Sequence, residues 1–198
     1  MKQPLCILAV LLAASAPLAP QPAASSRQVE WLYYGGDPGG SRYSPLTDIN
    51  AGNLARLQVA WQWKHWETRL DQYGTSPGFF ENTPLMIDGV LYVTTPYNSI
   101  AALDAETGRE LWRFDGEAYK LGQVLSGSGW KLRGTAVWRD GNKLRIALNS
   151  RSRLFLLDAQ TGKPVPSFGD NGEVSLTNGL PRISDIKHAT PEFAPDGV

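Results

Sequence analysis

Three observations predict an all-β chain assembled from repeated four-stranded sheets. The stretch Ala102–Trp112 (ALDAETGRELW) returns in part as Leu156–Lys163 (LLDAQTGK). It reads as a strand, a tight Asp-x-x-Thr-Gly turn and a second strand, so its return means the chain is built of like units. Short apolar or alternating runs bounded by Gly, Asp and Asn recur between and around these copies. Twenty Gly and seven Trp in 198 residues, with 42% hydrophobic residues, suit many turns around an aromatic-rich core.

In chain order, the first segment reads as an export leader. Lys2 supplies the positive start, and Leu5–Ala16 is an apolar run too short to span a bilayer. Cleavage after Ala16 or near Ala24 fits, with a retained N-terminal anchor as the alternative. Residues 1–24 are taken as signal peptide and 25–56 as a linker and turn-rich arm; 57–198 are taken as the sheet array. The sole cysteine, Cys6, lies in the leader, so the remainder has no disulfide or thiol chemistry. Export without disulfides points to the bacterial periplasm. A formal net charge of zero gives no global attraction to nucleic acid or to an anionic membrane.

Gly35–Gly40 (GGDPGG) reads as turn material. It lacks the Gly-x-Gly-x-x-Gly and Gly-Lys-Ser/Thr spacings of phosphate loops. Leu57–Trp63 (LQVAWQW) alternates as a strand. Thr83–Ile87, an Asp88-Gly89 turn and Val90–Thr95 form a hairpin, because Asp-Gly tolerates the positive φ of a two-residue turn. Ser99–Ala105 and Arg109–Asp115 complete a four-stranded meander. The plan restarts with Gly134–Trp138, a turn at Arg139–Lys143, Leu144–Asn149 and Arg153–Ala159. Ser175–Val198 shows no clear strand. Trp61 and Trp112 are expected to pack between neighbouring sheets, with Pro166 standing where Trp112 would recur.

Sheet, loop and sheet of one plan describe a β-propeller: about two complete four-stranded blades plus one orphan outer strand at Leu57–Trp63. An ordinary β-sandwich is the competing architecture. Two blades cannot close a ring, since propellers need about four or more. The expectation is therefore the N-terminal portion of a longer propeller.

From Trp31 to about Leu176 the chain resembles the pyrroloquinoline quinone (PQQ)-dependent dehydrogenases. The resemblance rests on YGGDPGGSRYSPLTDINAGNL, LQVAWQW, FENTPLMIDGVLYV, ALDAETGRELW, KLRGTAVW and LLDAQTGKPVPSFGDNGEV, in that order. It implies an eight-bladed propeller with PQQ on the axis beside Ca²⁺. The PSFGDNG segment is more similar to the sugar and polyol branch, typified by glucose dehydrogenase, than to the methanol dehydrogenase branch. The latter carries adjacent cysteines that Leu125–Trp130 lacks.

The resemblance makes two residues cofactor-binding candidates. Glu81, in FENTP, matches the family's PQQ-contacting glutamate; on its own it reads as a solvated loop acid. Arg133, in KLRG, matches the arginine that hydrogen-bonds PQQ, whose three carboxylates suit a planar bidentate donor. Gly134 is expected to permit close backbone approach. The resemblance further implies oxidation of a sugar or alcohol hydroxyl, with electrons passed to a quinone pool or cytochrome c and room for peripheral membrane association. It places the Ca²⁺ ligands and the catalytic Asp on later blades, so no catalytic or metal residue is assigned, and Asp170, Asp185 and Asp196 are not promoted.

Within the basic run Lys131–Arg153, alternation in LRIALNSRSRLF suggests outward, solvated positions rather than a nucleic-acid patch. His65 and His188 lack zinc spacing. The alternative function is a non-enzymatic propeller scaffold that binds proteins; Glu81 together with Arg133 favours the dehydrogenase.

Overall fold

A computed structural model describes residues 29–124 and 129–180. The leader, Cys6, the stretch 125–128, Asp185, His188 and Asp196 lie outside the described residues. Eight strands form two four-stranded antiparallel sheets, each in simple sequential order. The first contains β1 (Leu85–Ile87), β2 (Val90–Thr94), β3 (Ile100–Asp104) and β4 (Glu110–Phe114). The second contains β5 (Ala136–Asp140), β6 (Lys143–Ser150), β7 (Arg153–Asp158) and β8 (Glu173–Ser175).

Turn chemistry sets these boundaries. Asp88 and Gly89 both take positive φ, 51° and 75°, as a two-residue hairpin turn between right-twisted strands requires. The Asp-x-x-Thr-Gly turn is built identically twice. Asp104 Oδ1 accepts from the Thr107 N–H at 2.9 Å, and Asp158 Oδ1 from the Thr161 N–H at 3.1 Å. Each turn then closes on its glycine, whose N–H donates to the aspartate carbonyl at 2.8 Å.

Strand β3 shows why the sheets stack. Its side chains alternate between two faces. Ile100 and Ala102 join Leu85, Ile87 and Tyr92 against Ile146, Leu148, Phe155, Leu157 and Ala159 of the second sheet. Ala101 and Leu103 face the opposite way, with Val93, onto Trp61, Trp63 and Trp66. The first sheet is thus covered on both faces. A third cluster, Tyr97, Ala118 and Trp130, seals the end where the loops leave the sheets.

Trp112 and Trp61 are packing groups between layers, as expected. The Trp112 indole N–H donates to Ala159 O at 3.0 Å, and its ring lies over Gly162. Trp61 repeats the arrangement one layer earlier, donating to Ala105 O at 3.2 Å above Gly108. A side chain on either glycine would collide with the indole.

Two expected elements differ. Leu57–Trp63 enters neither ladder and is not a strand. No described segment runs beside it to exchange backbone hydrogen bonds, and Leu57 and Val59 are exposed. Its tryptophans nonetheless dock on the first sheet as Trp112 docks on the second. The fourth strand of the second sheet is β8, reaching Ser175, rather than the residues directly after the turn. Pro164 makes one bridge to Leu157, and Leu156 then accepts from Val165. The chain loops out through PSFGDN before Glu173 rejoins opposite Phe155. Pro166 has no N–H to continue the ladder. The N-terminal arm also does more than link: Trp31 pairs with Met86 through two backbone hydrogen bonds of 2.8 and 3.0 Å, which occupies the free edge of β1 there.

Candidate functional site

Glu81 and Arg133 each sit just ahead of the first strand of a sheet, and the fold brings them together. The Thr83 N–H donates to Arg133 O at 2.8 Å, so the two entry segments run side by side. Arg133 Nη2 then reaches Glu81 Oε2 at 3.4 Å. The other carboxylate oxygen, Oε1, is held by Lys131 Nζ at 3.0 Å. One carboxylate therefore bridges two cations, leaving the cluster with a net positive charge. Lys131, with Arg133 behind it, holds the Glu81 carboxyl below its usual range.

The two cations are not equivalent. The Lys131 side chain is 24% exposed, and its ammonium lies 5.7 Å from the Phe79 ring centroid. Arg133 is 71% exposed, with its longer contact to Glu81 and no other side-chain hydrogen bond among the described residues. Phe79 and Phe80 are both exposed beside the cluster, and Phe80 stacks on His65 with centroids 5.4 Å apart. Burial, reinforced by neighbouring Lys64, holds the His65 imidazole below its usual range.

The approach to Glu81 is fixed from behind. A side chain on Gly78 would stand 2.0 Å from Trp130 O, so glycine is required for the two segments to touch. The Trp130 indole is fully buried and donates to Thr75 Oγ1 at 2.7 Å. Gly134, expected to provide the close approach, does not: a Cβ there would make ordinary contact with Thr83 O at 3.6 Å. Asn82 donates through Nδ2 to Thr94 Oγ1, while its Oδ1 is buried with no partner among the described residues, an acceptor beside the acid.

Sequence reasoning missed Lys131 and Glu67. Lys131 was counted among solvated positions, although the Lys-x-Arg spacing ahead of a strand puts both side chains on one side. Glu67 is partly buried. It accepts from the Thr95 hydroxyl and, at 2.8 Å, from the Tyr97 N–H, and burial pushes its carboxyl up to about 7. No pattern in WKHWETRL flagged it. Arg145 also departs from the solvated reading: it is buried and pairs with Asp158 at 3.0 Å. Among the described residues no group of three His, Cys, Asp or Glu could hold a metal ion.

Two cations around one acid, with an exposed arginine and a neighbouring aromatic pair, suit a flat polycarboxylate. The donor chemistry therefore fits PQQ. Comparison with known proteins bears on the same point. Residues 31–195 match the family model described as glucose/ethanol/alcohol dehydrogenase, beta-propeller domain. A quinohemoprotein alcohol dehydrogenase from Pseudomonas putida is 33% identical over 92% of the chain, which covers 26% of that protein. A quinoprotein glucose dehydrogenase from Gluconobacter oxydans is 33% identical over 82% of the chain and 21% of its own length. The crystal structure of quinohemoprotein alcohol dehydrogenase from Comamonas testosteroni superposes with a TM-score of 0.58 at 28% identity, covering 78% of this chain and 20% of that one. The chain spans about a quarter of the length of the curated relatives it matches.

Proposed function

The chain belongs to the PQQ-dependent dehydrogenase β-propeller family, and on that premise we propose that the whole protein oxidises a sugar or alcohol hydroxyl with PQQ as its bound cofactor. The observation that carries the reading is the meeting of Glu81 and Arg133 ahead of two successive sheets. When bound, PQQ supplies the two-electron acceptor for the oxidation. Arg133 would donate guanidinium N–H groups to a cofactor carboxylate, a charge-assisted contact. Glu81, kept ionised, would hold the cofactor as an acceptor beside it. Trp130 and Gly78 hold the two entry segments in register, so these groups are presented without reorganisation.

Relatives named for alcohol and for glucose are equally similar, so the substrate class is sugar or alcohol without narrower choice. Electrons pass on to a quinone or a cytochrome. Calcium accompanies the cofactor in this reading, but no described residue is assigned to it or to proton abstraction. The leader-like start supports export, and the reaction is proposed for the periplasm. To test the reading, the full-length protein is reconstituted with PQQ and Ca²⁺ and an artificial electron acceptor is monitored. Dye reduction on adding a sugar or alcohol is expected. No reduction across a broad substrate panel, with no quinone absorbance retained after desalting, would overturn it.

A further inference from the structure

We propose that Lys131 is a positioning residue of the cofactor site: it holds Glu81 and thereby leaves Arg133 to donate to a cofactor carboxylate. The inference rests on the PQQ reading above and goes beyond it in assigning a residue and a task. A lone Glu81–Arg133 pair would be neutral, and an arginine already satisfied by a carboxylate receives another poorly. Here the division is unequal. Glu81 Oε1 takes Lys131 at 3.0 Å, while Arg133 touches Oε2 only at 3.4 Å, is 71% exposed and makes no other side-chain hydrogen bond among the described residues.

Placement supports the task. Lys131 is the more enclosed of the two cations, and its ammonium rests by the Phe79 ring, which limits where it can swing. On the backbone side, Thr83 is tied to Arg133 O and Asn98 Nδ2 lies 3.5 Å from Lys131 O. The segment from Lys131 to Arg133 is therefore fixed against the segment bearing Glu81. The cluster keeps one positive charge in excess, the sign needed for a ligand with several carboxylates.

The test is equilibrium titration of PQQ into the full-length apoprotein, followed by quinone absorbance and tryptophan fluorescence at several salt concentrations. Lys131→Met is expected to weaken binding about tenfold or more, the scale of a lost charged hydrogen bond, and to flatten the salt dependence. Lys131→Arg is expected to restore most of the affinity. In a Glu81→Gln background, Lys131→Met is expected to cost at most about threefold, because Arg133 then has no competing carboxylate. Should Lys131→Met fail to fold, Lys131→Gln carries the same expectations. Parent-like affinity in the Lys131 variants, or an equal loss in both Glu81 backgrounds, would overturn the inference alone. No PQQ binding by the parent protein would overturn the family reading beneath it.

Discussion

Replacing Gly162 with alanine tests the tryptophan dock between layers. Gly162 sits at φ +69°, and an added Cβ would lie 2.4 Å from Trp112 Cε3 and 2.6 Å from Cδ2. Carbon atoms settle near 3.5 Å or beyond, so the ring must retreat by about 1 Å. That retreat stretches the 3.0 Å indole hydrogen bond to Ala159 O. Gly141 is the matched control: its φ is +59° and a Cβ there meets nothing within 4 Å. Both substitutions incur the left-handed backbone cost of roughly 1–2 kcal/mol. Only Gly162→Ala adds overpacking and a weakened hydrogen bond, together about 2 kcal/mol more. At about 2–4 °C per kcal/mol for a chain of this size, its melting temperature falls about 4–8 °C below that of Gly141→Ala. Thermal melts of the two variants decide the matter, with urea titration as a second measure. Equal losses would refute the dock, as would a Gly162→Ala penalty that Trp112→Ala leaves unchanged.

Glu67 predicts a pH dependence. Burial pushes its carboxyl up to about 7 in the folded chain from an ordinary 4.5. The folded state therefore keeps a proton that the unfolded chain has released, and stability falls as pH rises through that window, by at most about 3 kcal/mol. Glu67→Gln, whose amide can still accept from Tyr97 and donate to Thr95, should be more stable than the parent at pH 8 and not at pH 4.5; denaturant midpoints showing no pH-dependent gain would sink this. Asp158→Asn should destabilise by about 2 kcal/mol, because it strips the nearer carboxylate from buried Arg145; the partial exposure of Asp158, and Asp140 at 3.6 Å from Arg145 Nε, keep the loss below that of a fully buried, singly paired charge. Asp104→Asn, at the equivalent turn with Val90 opposite instead of an arginine, should lose less. Equal shifts of the two in a urea titration would contradict the role given to Arg145.

The hairpins were legible because their information is local. Asp88-Gly89 and the two Asp-x-x-Thr-Gly turns dictate backbone conformations that few other residues accept, and the strands between them alternate by parity alone. Leu57–Trp63 carried the same alternation without a partner, and a ladder is a property of two segments. Strand β8 was hidden because Pro166 and the PSFGDN excursion displace it along the chain, so the second copy could not be laid directly over the first. Of the candidate site, Glu81 and Arg133 were singled out only through resemblance, and their pairing was not legible at all. Nothing local in FENTP says which loop the acid will meet.

Basic residues show the limit most clearly. Alternation within Lys131–Arg153 predicts one solvated set, yet parity reports only which face a side chain leaves, never what waits there. Arg145 leaves on a face where the repeated turn has already placed Asp158, so it is buried and paired. In the first sheet Val90 occupies that position opposite Asp104, and the turn aspartate serves its own turn, through the Thr107 N–H and hydroxyl. Lys131 leaves ahead of the strand, where the register of two entry segments delivers Glu81. Repetition thus supplies its own control. Positions that keep their residue type between the sheets, such as the Asp-x-x-Thr-Gly turns, maintain the stack. Where the residue type changes, as from Val90 to Arg145, charge has been introduced. Arg145 is buried, whereas the side chains of Glu81 and Arg133, in the segments entering the sheets, are exposed, which is why the proposed cofactor contacts are put there rather than in the sheets themselves.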